Sequence, residues 1–210
     1  MAAGKGIAGA AGLLLVVASF ANAGPIDEHR VAVRVYDRAG LDTRTSSRAL
    51  EIAREALRSS SIDVEWTTCV PGRPNAACDR PLGGASSCVS YARSKRQPAS
   101  PQALGDALVD MTTGSAVFAT IYVQRVHRLA QTAGTDDAEL LGYAIAHELG
   151  HLLMASHLHS EEGLMRSQWR ERDLRQRRDA DWRFSLQDAA AIRDRMEAAR
   201  LSPNIVWTTR

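Results

Sequence analysis

The sequence is short of the features that mark several functional classes. Its one long apolar run, Ile7 to Phe20, has 14 residues, below the roughly 20 that a helix needs to cross a bilayer. A membrane-spanning helix is therefore not expected. Charge of one sign is also lacking. The 26 basic residues face 24 acidic ones, unlike the basic excess or concentrated basic face of a nucleic-acid binder. The densest candidate, Arg166–Arg183, alternates the two signs, as in Arg170-Glu171-Arg172-Asp173, and reads as a solvated surface. No nucleic-acid partner is expected. Cysteine is scarce, and Cys69, Cys78 and Cys88 lack the close pairs of a structural zinc knuckle. There is no internal repeat or low-complexity tract. A chain of 210 residues also excludes a multidomain machine.

What is present begins with an export signal. Lys5 precedes the apolar run, and Ala21-Asn22-Ala23 follows the small-x-small rule for cleavage. Residues 1–23 are thus expected to be a signal peptide and residues 24–210 a single domain, secreted or periplasmic. The mature protein is expected to be a monomer without stable membrane insertion. Export permits disulfides, but three cysteines leave one thiol over. Two of Cys69, Cys78 and Cys88 are expected to pair, and the sequence does not choose among the three pairings.

Along the mature chain, Val31, Val33 and Val35 alternate as in a half-buried strand. Gly40 marks a turn. Leu50, Ala53 and Leu57 then recur at helical spacing, and Ile62, Val64 and Trp66 alternate again. Strand, helix and strand in this order predict a right-handed crossover between parallel strands. Residues 69–101 hold all the cysteines, five of the seven prolines and Gly83-Gly84. They read as a long loop, with room for a short strand near Cys88–Tyr91. Alternation from Val117 to Val123 predicts a strand across Ala116–Arg128. Asp136 caps a helix with Glu139 as its capping-box partner, and Ser185 with Asp188 starts the last helix. The chain is expected to be α/β in the broad sense, with helices and strands mixed (α+β).

The most specific signal is His147-Glu148-Leu149-Gly150-His151. Four residues of helix turn a side chain by about 400°, a net 40° or so, so two imidazoles aim at one point. Neutral imidazoles at this spacing suit zinc, and Glu148 can reach a water on the metal. Four of the six histidines fall within His147–His159, a density hard to assign to packing, since each buried ring must satisfy two nitrogens. A catalytic zinc wants a third protein ligand, and His157 and His159 are the local candidates. On a continued helix His157 would lie about 9 Å beyond His151 and roughly 240° further round. The chain must therefore leave the helix between Leu152 and Ser156 and turn back.

The segment from His147 to His157 resembles the extended zinc motif of the metzincin metallopeptidases. Gly163-Leu164-Met165 resembles their Met-turn, at a distance from His157 similar to that of the matrixin branch. The resemblance implies a zincin domain with a mixed twisted sheet, an active-site helix and a C-terminal helix. It also implies that His147, His151 and His157 bind Zn2+, that Glu148 is the general base, and that Met165 forms a hydrophobic floor. Met154 stands where the clan usually has glycine or asparagine, the residues that end a helix in left-handed conformation. If the helix instead breaks at Ala155-Ser156, His159 becomes the third ligand. The implied activity is that of a zinc endopeptidase acting on a peptide or protein substrate held extended along a strand edge, for which Ala116–Arg128 is the nearest match in chain order. Two rivals remain: a non-catalytic zinc-binding or protein-interaction domain of the cell envelope, and a structural envelope protein without catalytic metal.

Overall fold

The computed structural model describes residues 29–82, 86–93, 102–111, 115–176 and 178–201; the expected signal peptide lies outside them. Strand β1 (His29–Asp37) buries Val31, Val33 and Val35 on one face, each 1% exposed. Helix α1 (Thr43–Arg58) follows, capped by the Asp42 side chain, which accepts the Thr45 N–H at 2.9 Å. Its buried stripe of Ala49, Leu50, Ala53, Ala56 and Leu57 faces the core. Strand β2 (Ile62–Cys69) then pairs parallel with β1. The predicted strand–helix–strand unit with parallel strands is present.

The long-loop expectation for residues 69–101 needs correction. Cys69 and Cys78 form a disulfide between the end of β2 and a short helix, α2 (Ala76–Asp79), while Cys88 is a buried free thiol. Beyond them runs β3 (Ser86–Ala92), which pairs parallel with β1 on one side and with β5 (Ser115–Tyr122) on the other. It is an interior strand with Ser87 through Tyr91 all buried. A strand covered on both faces has no alternation to read, and its serines and cysteine disguise it further.

Strand β4 (Gly105–Asp110) pairs antiparallel with β5, completing a mixed five-stranded sheet in the order β2-β1-β3-β5-β4. Among the described residues the edge strand on this side is β4. The expectation that Ala116–Arg128 supplied a strand edge is thus corrected: β5 lies inside the sheet. That segment also changes type at Tyr122, where helix α3 (Val123–Ala133) begins. The Ile121-Tyr122-Val123 run conceals the switch, and only the buried Val126, Ala130 and Ala133 carry the helical period.

Helix α4 (Asp137–Met154) packs against α1 and α3 and against β4 and β5. Asp136 caps it, accepting the Glu139 N–H at 3.0 Å, as the sequence predicted. Its residues from Leu149 to Leu153 and from Ala144 to Glu148 are all buried, so it is central rather than amphipathic. Past it come α5 (Glu171–Gln176), a 3-10 turn at Asp179–Trp182, and α6 (Leu186–Leu201). The predicted cap of α6 is there too. Asp188 accepts from the Ser185 hydroxyl and backbone, and its second oxygen accepts Ser160 Oγ at 2.6 Å. No helix among the described residues is long and apolar enough to cross a membrane.

Candidate metal centre

One turn apart on α4, His147 and His151 bring their Nε2 atoms to 3.1 Å. The helix is seated by Gly150, on which a Cβ would lie 2.6 Å from Met165 Sδ and 2.7 Å from Phe184 Cε1. Met165 is fully buried against this contact.

The helix ends at Met154, with Ala155 as its C-cap. Ala155 takes the left-handed conformation, φ 45° and ψ 50°, and the Ser156 N–H returns to the His151 carbonyl at 3.1 Å. For an alanine that conformation costs roughly 1–2 kcal/mol. This break decides which histidine comes back. His159 Nε2 lies 3.3 Å from His151 Nε2, and one ring nitrogen from each of His147, His151 and His159 falls within 4.8 Å of the others. His157, the first choice for third ligand, is not in the group. Its Nε2 is 3.2 Å from the Val109 carbonyl of β4.

The outer nitrogens of the buried pair are fixed by backbone. His147 Nδ1 donates to the Leu164 carbonyl at 2.8 Å, and His151 Nδ1 donates to the Ser156 carbonyl at 2.7 Å. With those protons assigned, each neutral ring presents a bare Nε2 lone pair. Two acceptors at 3.1 Å repel unless a cation lies between them. Ligands at 2.0–2.1 Å in tetrahedral array stand about 3.3–3.4 Å apart, close to the observed spacings. Burial, with its neighbour His151, drives the His147 pKa down to about 3, and burial also takes His151 down to about 4. His159 is lowered as well, by partial burial and then by His157. All three are ready to bind a metal without first losing a proton.

Glu148 follows His147 on the same turn and is 6% exposed. Gly105, at the start of β4, makes room for it: a Cβ there would sit 2.6 Å from both Glu148 Cγ and Oε1. Burial, and secondarily the charge of Asp106, raises the Glu148 pKa to about 8. A nearby cation acts in the opposite direction and favours the carboxylate.

Beside His147 and Glu148 opens a cavity of about 690 Å³, with Arg125 and Arg128 of α3 on one wall and Arg166 and Arg170 on the other. Trp169 and the His147 ring meet nearly perpendicular, centroids 5.5 Å apart, and Trp169 packs on Trp182 in turn. The expectation of a solvated surface over Arg166–Arg183 holds for exposed Arg172 and Arg178. It fails for Arg166, whose side chain is 16% exposed between Asp173 and Asp181 at 3.8 and 3.7 Å. Sequence reasoning missed Trp169 and Gly105, and it had no means of finding the Leu164 and Ser156 carbonyls, because a backbone acceptor has no residue signature.

No family model and no curated protein matches the chain. Its fold is similar to the crystal structure of archaemetzincin from Methanopyrus kandleri, with a TM-score of 0.56 and 13% sequence identity over 83% of this chain and 99% of that one. The likeness is one of fold: a mixed α/β, zincin-like architecture.

Proposed function

We propose that the protein is an exported zinc-dependent endopeptidase in which His147, His151 and His159 hold the metal and Glu148 is the general base. The observation that carries this reading is the convergence of three Nε2 atoms, two of them on rings whose Nδ1 protons are committed to carbonyls. Imidazoles alone would suit copper or nickel too; the adjoining buried carboxylate favours zinc. Zinc held by these three histidines would supply Lewis acidity and lower the pKa of a bound water toward 7.

The chain's own groups do the rest. The Leu164 and Ser156 carbonyls keep the rings oriented, which is how outer partners tune a metal site. Glu148, on the face toward β4, accepts a proton from the attacking water and returns it to the departing amine. The open edge of β4, beginning at Gly105 against Glu148, offers main-chain pairing to an extended substrate. The Cys69–Cys78 disulfide supports an oxidising compartment, in keeping with the signal expected at residues 1–23.

The test is metal analysis and degradation of an unstructured protein by wild type and Glu148→Gln. Glu148→Gln is expected to keep zinc and lose hydrolysis by about 10²–10⁴-fold. Zinc in both without hydrolysis by wild type would mean a non-catalytic zinc-binding domain. Absence of zinc after metal-replete purification would mean a structural protein.

A further inference from the structure

We propose that the arginine-walled cavity beside the histidine cluster receives an acidic side chain, aspartate or glutamate, from the substrate residue next to the bond that is cut. The inference rests on the peptidase reading above and adds the substrate class. The cavity begins at His147 and Glu148, so a peptide whose carbonyl lies at the cluster puts a neighbouring side chain into it. Four guanidinium groups line it: Arg125 and Arg128, one turn apart on α3, and Arg166 and Arg170, four apart beyond Met165. Among the described lining residues Glu148 is the only carboxylate.

These arginines are held in different ways. The Ala103 carbonyl accepts from Arg125 Nη1 at 3.0 Å, and the Tyr122 ring lies 5.3 Å from its guanidinium carbon. Arg166 is anchored through Nη1 by Asp173 and Asp181, while its buried Nη2 has no hydrogen-bond partner among the described residues. Arg128 and Arg170 have no ion-pair partner among the described residues. A cleft lined by one sign of charge focuses its field, and guanidinium groups engage carboxylates bidentately. A lysine or arginine side chain would meet like charge there. Arg166 and Arg170 also line a second cavity that reaches His159, but there Glu161 and Asp173 stand among the arginines, so the one-signed wall belongs to the first cavity.

The experiment compares peptides identical except for Glu, Gln, Leu or Lys at each position flanking a cleaved bond. The expected result is a kcat/KM for Glu about tenfold or more above its isostere Gln at one position, a ratio that shrinks between about 50 and about 500 mM salt. Calorimetric binding of the same peptides to Glu148→Gln should show the same order. Arg128→Glu with Arg170→Glu should lower the Glu-to-Lys ratio by at least about tenfold. Should that double variant fail to fold, the wild-type Glu-to-Gln ratio and its salt dependence decide alone. Cleavage with equal or lower preference for Glu at every position overturns the inference and leaves the peptidase reading standing. A wild type that holds zinc and cleaves none of the peptides or proteins overturns both.

Discussion

The Nδ1 of His147 donates to the carbonyl of Leu164 at 2.8 Å, which ties the histidine cluster to the residue just before Met165. Helix α4 and the Gly163–Met165 turn are therefore one unit: the turn orients the His147 ring through Leu164 and seats the helix through Met165. Damage to the seat should be felt at the metal.

Gly150→Ala tests that unit. Its Cβ would meet Met165 Sδ and Phe184 Cε1 at 2.6 and 2.7 Å, both in the buried core. Overpacking of this kind costs about 1–3 kcal/mol. Denaturant unfolding should show that loss, and zinc affinity should fall with it. Unchanged stability and affinity would show that helix and turn are not coupled.

Gly105→Ala should separate catalysis from metal binding. The added Cβ would lie 2.6 Å from Glu148 Oε1 and displace the carboxylate without touching an imidazole. Hydrolysis is expected to drop by about 10²-fold with the zinc content of wild type. Joint loss of zinc and activity would place Gly105 in the metal support instead.

The metal-free protein should be most stable near pH 6.5. His147 and His151 have folded pKa values of about 3 and 4 against 6.5 for free imidazole. As pH falls below 6.5 the unfolded chain takes protons that the folded one does not, and stability declines. Glu148 acts in the other direction: its folded value of about 8 exceeds the usual 4.5, so its contribution is full below 4.5 and is lost as pH rises to 8. Glu148→Gln should remove the alkaline decline and leave the acid one. Unfolding curves of the two metal-free proteins across this range check it, and parallel curves would contradict the assignment.

Cys69→Ser opens the only disulfide among the described residues, a link between positions nine apart. Closure of so short a loop is worth about 2–3 kcal/mol, and chemical denaturation should show that loss. Buried Cys88 should resist thiol reagents until the chain unfolds.

The first crossover was legible because Val31, Val33, Val35 and then Leu50, Ala53, Leu57 face one way each, so period reports burial. The same method left β3 as no more than room for a short strand near Cys88–Tyr91, because Ser87 to Tyr91 are all buried and no period survives. It also extended β5 through α3, because β-branched residues run across the boundary at Tyr122. At the site, His147, Glu148 and His151 were legible from spacing within one helix. The third histidine was narrowed to His157 or His159 without a choice between them, since the choice depends on a single residue, Ala155, accepting a left-handed backbone that its side chain disfavours. The arginine cavity joins α3 to the segment after Met165, and only tertiary structure brings those together.

The most direct test is zinc affinity and zinc X-ray absorption of wild type, His157→Ala and His159→Ala. Wild type is expected to show three imidazole nitrogens at about 2.0–2.1 Å. His159→Ala should lose one of them and more than about 100-fold in affinity, beyond what loss of an outer partner brings. His157→Ala should keep all three. Retention of the full shell by His159→Ala, with its loss in His157→Ala, would contradict the site described here.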